Sequence, residues 1–211
     1  MALDLEEQEQ VDELKAWWKA HGSKVVIGVT VFVLSVAGWR GWDAYQVKQT
    51  NDAAALFDSL RKELATNDTK KIREAAGQLI ERFPRTVYAI DAAMIAAKVN
   101  FESGDSKSAK AQYQWVIVNA KQDQSKDLAR LRLAVVLLDE ANYLDAMKQL
   151  DGAHDPAFAP LFSDLKGDVY SLQGKSKEAR SAYQAAIAKM PKDSPFKNFV
   201  QIKLDALGEQ G

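Results

Sequence analysis

The hydrophobic pattern of the chain changes character near Arg40. From Val25 to Trp39 there is no charged residue and nothing more polar than Thr30 and Ser35, so the run VVIGVTVFVLSVAGW has no polar face. Beyond Arg40 apolar residues recur every three or four positions, the period of amphipathic helices. From Thr86 onward no stretch alternates apolar and polar residues as a half-buried strand would.

The uncharged run is short for a membrane span. Its fifteen residues rise about 22 Å as a helix, against a hydrocarbon core of about 30 Å. The flanks extend it. Trp17, Trp18, Trp39 and Trp42, four of the five tryptophans, bracket the run, and the 21 residues from Trp18 to Trp39 make about 31 Å of helix. Indole rings favour the membrane–water boundary. Lys24 is long enough to reach that boundary from inside, and Arg40 closes the other end. One transmembrane helix is therefore expected over 20–42, the alternative being a buried helix of a soluble domain. Ser35-Val36-Ala37 also satisfies the small-x-small rule for signal cleavage before Gly38, which would leave an exported soluble repeat protein. The long n-region that opens acidic suits an uncleaved anchor better.

Ahead of the span, residues 1–14 are acidic and hold no Lys or Arg. VDELKAWWKAHG places Val11, Leu14, Trp17 and Trp18 at helical spacing with Lys15 and Lys19 on the other side, which predicts a short interfacial helix within 1–19. Lys15, Lys19 and Lys24 precede the span, while Arg40 and Lys48 follow it, so the cation balance puts the N-terminus in the cytoplasm and 43–211 across the membrane.

An unbroken helical stripe (Ala44, Val47, Ala54, Leu56, Phe57, Leu60, Leu64) leads into the turn Thr66-Asn67-Asp68-Thr69, with Thr69 as the expected N-cap. Lys70 to Phe83 follows and Pro84 stops it. Seven further helices are predicted: Val87–Glu102, Ser106–Ala120, Ser125–Glu140, Tyr143–Leu150, Phe158–Leu172, Lys177–Lys189 and Pro195–Leu207. GDSKSAKAQYQWV, ANYLDAMKQL and GKSKEARSAYQAAI then align as a repeat. Small turn residues fall at Gly104, Ala141 and Gly174, alanines at Ala109, Ala146 and Ala179, and large residues at Tyr113, Leu150 and Tyr183. The last unit adds Gly167, Tyr170, Ala186 and Pro191. Glycine permits the tight reversal, alanine the close helix crossing, the aromatic ring fills the gap beside it, and proline stops the second helix.

This pattern resembles the tetratricopeptide repeat, so the expected class is all-α: a single N-terminal transmembrane helix followed by a helical-repeat solenoid, with Phe196–Leu207 as its capping helix. The order of acidic leader, KAWWKAHG, Gly/Val-rich span, GWRGW at Gly38–Trp42 and degenerate repeats resembles the YfgM family over essentially the whole chain. That resemblance implies an inner-membrane protein with a periplasmic repeat domain, associated with the SecYEG translocon, a PpiD-like periplasmic chaperone and exported client proteins.

Composition narrows the chemistry. The 28 Lys and Arg nearly balance 29 Asp and Glu, and residues beyond 40 carry 24 bases and 23 acids after four bases and six acids are subtracted. No concentrated basic charge exists to hold phosphates, so nucleic acid is not an expected partner. With no cysteine there is no disulfide or thiolate chemistry. His21 and His154 are far apart, no Gly-rich phosphate loop occurs, and Asp151, Asp155, Asp164 and Asp168 match no cation-loop spacing. The expectation is no catalytic site, no metal and no cofactor. Binding is the better candidate. In tetratricopeptide folds the first helix of each pair lines the concave face, which transfers to Asp91, Met94, Lys98 and Phe101, then Leu128, Leu131, Val135 and Leu138, then Leu161, Asp164 and Asp168. Such a face suits an extended or helical protein segment. Alternatively these residues are core, covered by the C-terminal helix through Phe196, Phe199, Val200 and Ile202. At the level of function the readings are a non-enzymatic translocon adaptor or an envelope scaffold for outer-membrane or cell-wall assembly.

Overall fold

The computed structural model describes residues 2–208, with side chains from residue 7 onward. The Asp4 and Glu6 side chains of the acidic leader, and residues 209–211 at the end of the expected repeat domain, lie outside the described residues. Among these residues there are nine α-helices and no strand: α1 (Ala2–Thr66), α2 (Thr69–Arg82), α3 (Val87–Glu102), α4 (Ser106–Asn119), α5 (Asp123–Asp139), α6 (Tyr143–Leu150), α7 (Ala159–Leu172), α8 (Ser176–Lys189) and α9 (Phe196–Ala206), with one 3-10 turn at Pro156–Phe158. The chain divides into two units, Met1–Asn51 and Asp52–Gly211.

In the first unit the leader and the apolar run belong to one helix, not two. His21 and Gly22 do not interrupt it, because each is tied to the turn before. The His21 ring stacks on Trp17 at 5.2 Å with its Nδ1 3.2 Å from the Trp17 carbonyl oxygen, and the Trp18 indole lies over Gly22. The most apolar 18-residue window has mean hydropathy 1.7 and only 6% of it is buried. A core helix would hide those side chains; Ile27, Phe32 and Leu34 are exposed. The two hydroxyls in the run are satisfied within the helix: Thr30 Oγ1 donates to the Val26 carbonyl and Ser35 Oγ to the Val31 carbonyl, both at 2.8 Å. The segment thus presents apolar surface on all sides with no unmet polar group, as a bilayer requires.

The second unit is built from helix pairs whose turns share one backbone device. Asn67, Gly104, Ala141 and Gly174 all adopt left-handed φ (54, 82, 55 and 74°), spaced by 37, 37 and 33 residues. At Gly104 the N–H donates to the Phe101 carbonyl at 2.9 Å and the next N–H, of Asp105, to the Asn100 carbonyl at 2.8 Å; the pattern recurs at Ala141/Asn142 and Gly174/Lys175. The following residue starts the second helix. Asp68, Asp105 and Asn142 each accept from a backbone N–H three residues on, of Lys71, Ser108 and Asp145. Asp68, not Thr69, is therefore the cap of α2; Thr69 is the first helical residue.

Seven residues before each turn and nine after it, the two helices meet. Gly167 faces Tyr183 in this register; Ala97 and Tyr113, and Ala134 and Leu150, hold the same places in the two preceding pairs, all buried. The first pair inverts the sizes: Leu60 on the first helix and Ala76 on the second, both fully buried. Ala53, Leu60, Ile72, Ala76, Leu79, Phe83, Ala92 and Ala96 form its core. A larger cluster runs through α3 to α7, and a third joins α8 to α9 through Tyr183, Ala186, Val200 and Leu204.

α9 ends on the same device, Gly208 at φ 72°, 34 residues after Gly174. It stands in the place of a first helix. The positions that would face a second helix hold Lys197 and Gln201, and Gln201 Nε2 donates instead to Asp205 at 2.8 Å. This is the polar outer face of a capping helix.

Candidate functional site

α3 and α5, the first helices of two successive pairs, line a groove of about 480 Å³. Its walls are Met94, Ile95, Lys98, Phe101 and Glu102 from α3 and Leu128, Arg132 and Val135 from α5, with Tyr113 of α4 reaching it from behind. A second depression of about 460 Å³, bounded by Leu64, Asn67, Thr69, Ile72, Val99 and Ser103, shares Ile95, Lys98 and Glu102 with the first. Lys98 and Glu102 form an ion pair of 3.7 Å along the ridge between them.

Five expected lining residues are brought together here: Met94, Lys98, Phe101, Leu128 and Val135. Others are placed elsewhere. Leu131 is only 7% exposed and belongs to the core, because its side chain turns inward beside Ala134. It is a packing residue and not a lining one. Leu138 is part-buried against the same core. Asp91 is exposed at the start of α3, and Leu161 is exposed on α7.

Asp164 and Asp168 are occupied. Lys203 of α9 donates to Asp164 Oδ1 and Oδ2, both at 3.0 Å, and to Asp168 Oδ2 at 2.8 Å, while the Tyr183 hydroxyl donates to Asp168 Oδ1 at 2.8 Å. Burial pushes the Asp164 carboxyl up, opposed by the Lys203 hydrogen bond. Burial alone would lower Lys203; the Asp168 and Asp164 carboxylates outweigh it and raise the ammonium. Burial, then the bond to Asp168, pushes the Tyr183 phenol well up.

The C-terminal helix does not cover the groove. Val200 and Leu204 face α8, whereas Phe196, Phe199 and Ile202 are exposed. In the repeat register Phe199 and Ile202 occupy the places of Ile95 and Lys98 in α3 and of Arg132 and Val135 in α5. The expected lid is an extra strip on the groove-lining side of its own helix.

The acidic residues are dispersed among structural tasks. Asp151 pairs with Lys166 at 2.7 Å, and Asp155 caps the 3-10 turn through the Ala157 N–H at 2.9 Å. Sequence reading missed Asp127, which is 2% exposed. Its Oδ2 accepts the Asp155 N–H at 2.8 Å and its Oδ1 the Arg130 guanidinium at 3.2 Å; Arg130 also donates to the Ala153 carbonyl at 2.8 Å. Together they fasten the α6–α7 connection onto α5 and floor a polar cavity of about 510 Å³ that includes His154. The His154 ring stacks on Phe162 at 4.1 Å. An Asp on the core side of an amphipathic helix was the available signal. Among the described residues no three His, Asp or Glu side chains converge for a metal.

At the anchor, Trp18 and Trp39 are exposed at the two ends of the apolar run, and Trp42 lies 6.0 Å from Tyr45. Trp17, Lys24 and Arg40 are also exposed.

The tetratricopeptide repeat-like domain family matches residues 15–209. The ancillary SecYEG translocon subunit of Neisseria gonorrhoeae is 35% identical over 212 residues, covering 98% of this chain and 100% of its own. The chain belongs to the YfgM family. Proteins of the same name from Haemophilus influenzae (25% identical, covering 88% of this chain and 91% of its own) and Escherichia coli (24%, covering 95% and 96%) are similar along nearly the same length. The matched residues include both the anchor and the repeats, so the likeness is not confined to a common repeat domain.

Proposed function

We propose that this chain is a non-enzymatic, membrane-anchored repeat adaptor of the SecYEG translocon. The observation that carries the reading is the end-to-end likeness to a relative named as an ancillary translocon subunit, spanning anchor and repeats alike. The anchor, residues 20–42, crosses the inner membrane once and meets the channel laterally. Residues 1–19 stay in the cytoplasm, as Lys15, Lys19 and Lys24 favour, and 43–211 stand in the periplasm. There the groove between α3 and α5 holds a protein segment, either a PpiD-like chaperone or an emerging client, near the channel exit. Its apolar wall and shallow, open form suit side chains of a helix or extended chain better than a small ligand.

Site-specific photocrosslinking tests this directly. Probes at Phe32 in the anchor should capture channel subunits, and probes at Val135 should capture a periplasmic chaperone or exported chains. Crosslinks only to cell-wall or outer-membrane assembly factors would reject the translocon in favour of an envelope scaffold.

A further inference from the structure

The groove is not uniformly apolar. Tyr113 has a buried ring, 3% exposed overall, yet it lines the groove; among the described residues its hydroxyl has no protein partner and is not sealed from solvent. Burial pushes the phenol up, with Arg132 acting against it and Glu102 with it, so the hydroxyl is a neutral donor throughout the physiological range. Arg132 lines the same groove, is exposed, and has no carboxylate within ion-pair distance among the described residues. Lys98 and Glu102 pair with each other, which leaves Arg132 as the net charge of the groove. A hydroxyl that opens onto the groove is free to donate to a ligand oxygen, and a guanidinium is the side chain best shaped to hold a carboxylate.

Resting on the groove reading above, we propose that the α3–α5 groove selects a partner segment carrying an Asp or Glu side chain beside apolar residues. The carboxylate accepts from Arg132 and from the Tyr113 hydroxyl. The neighbouring apolar side chains fill the wall of Met94, Phe101, Leu128 and Val135. The groove's net positive charge and its single unpaired cation among the described residues, set in an apolar wall, match that chemistry and disfavour a basic segment.

The test uses the full-length protein in nanodiscs and amidated, labelled helical peptides of about 16 residues, long enough for some four turns. Each peptide has Leu at three- and four-residue spacing, flanked by Glu in one version, Gln in the second and Lys in the third. Fluorescence anisotropy should show the Glu peptide binding about tenfold tighter than the Gln peptide, with the Lys peptide weakest. Arg132→Gln should bring the Glu peptide to the level of the Gln peptide. Tyr113→Phe, which keeps the buried ring, should weaken only the Glu peptide. Equal binding of all three, lost in Val135→Asp, overturns the carboxylate assignment and leaves the groove. Binding that survives Val135→Asp overturns the groove itself, and absence of binding by any peptide up to about 1 mM overturns both.

Discussion

Gly167 of α7 lies directly beneath the ring of Tyr183 on α8, so closely that a methyl group added there would sit 2.4 Å from Cδ1 and Cε1. Among the described residues no other glycine of the repeat unit is packed so closely, and the ring cannot retreat because Tyr183 is buried and its hydroxyl is bonded to Asp168. Gly167→Ala should therefore destabilise the repeat domain by about 1–3 kcal/mol, the usual cost of overpacking, although Ala is the better helix former. Urea unfolding of the purified protein measures it. Equal or higher stability would mean that α7 and α8 can separate without loss.

Lys203 is the fastening between α9 and α7, and its titration gives the attachment a pH limit. Its raised folded pKa means that the contribution is fully present below the ordinary lysine value of about 10.4 and is lost as pH climbs through the folded value. Lys203→Met removes the cation and leaves Asp164 and Asp168 facing one another. We expect a loss of about 1–2 kcal/mol at neutral pH, discounted for the partial exposure of all three groups. The deficit should shrink toward acid pH, because Asp164, whose pKa burial already raises, then takes up a proton and ceases to repel Asp168. Thermal unfolding of both proteins across pH reads the difference, and a pH-independent deficit would contradict this account.

The shared turn device points to two stabilising changes. Ala141 adopts φ 55°, where a Cβ is strained and the equivalent residues are Gly104 and Gly174. Ala141→Gly should gain about 0.5–1 kcal/mol, the relief of strain exceeding the entropy of the added glycine. Lys175 stands where Asp68, Asp105 and Asn142 cap the other second helices, and it makes no side-chain cap bond. Lys175→Asp should gain about 0.5–1 kcal/mol by satisfying an N–H of the first turn of α8. Melting temperatures of the single and double variants check both, and the gains should add because the two turns are separate.

The same device explains why part of the fold was legible and part was not. Gly104, Ala141 and Gly174 announced three pairs because each is followed by an alanine and a large residue at fixed distances. The first pair escaped because Leu60 and Ala76 exchange the small and large roles: the volume at the crossing is conserved while the pattern of letters is not. Asn67 serves its turn because Asn tolerates left-handed φ. The groove was half legible for a different reason. Val135 and Leu131 are one helical turn apart and equally apolar, and only the rotation of α5 decides that the first is exposed while the second is core. Phe199 and Ile202 read as a lid because apolar residues near a C-terminus ordinarily pack inward; the polar Lys197 and Gln201 on the same helix mark α9 as a cap instead.

Asp127 offers the sharpest separation of structure from function. Its carboxylate is buried, and all that it holds is the Asp155 N–H and the Arg130 guanidinium. Asp127→Ala leaves that N–H without its acceptor and should cost about 2–3 kcal/mol, as for a buried polar group stripped of its partner. The damage should be local. Hydrogen exchange should accelerate at Asp155 and through the connection from Asp151 to Phe158, while amides of the α1–α2 pair keep their protection, since repeat stability is nearly a sum of neighbour terms. The α3–α5 groove does not include the connection, so the Glu-peptide affinity of the folded variant should equal that of the wild type. An unchanged Asp155 amide would mean that the loop is held by its own packing of His154 on Phe162, with Asp127 a bystander.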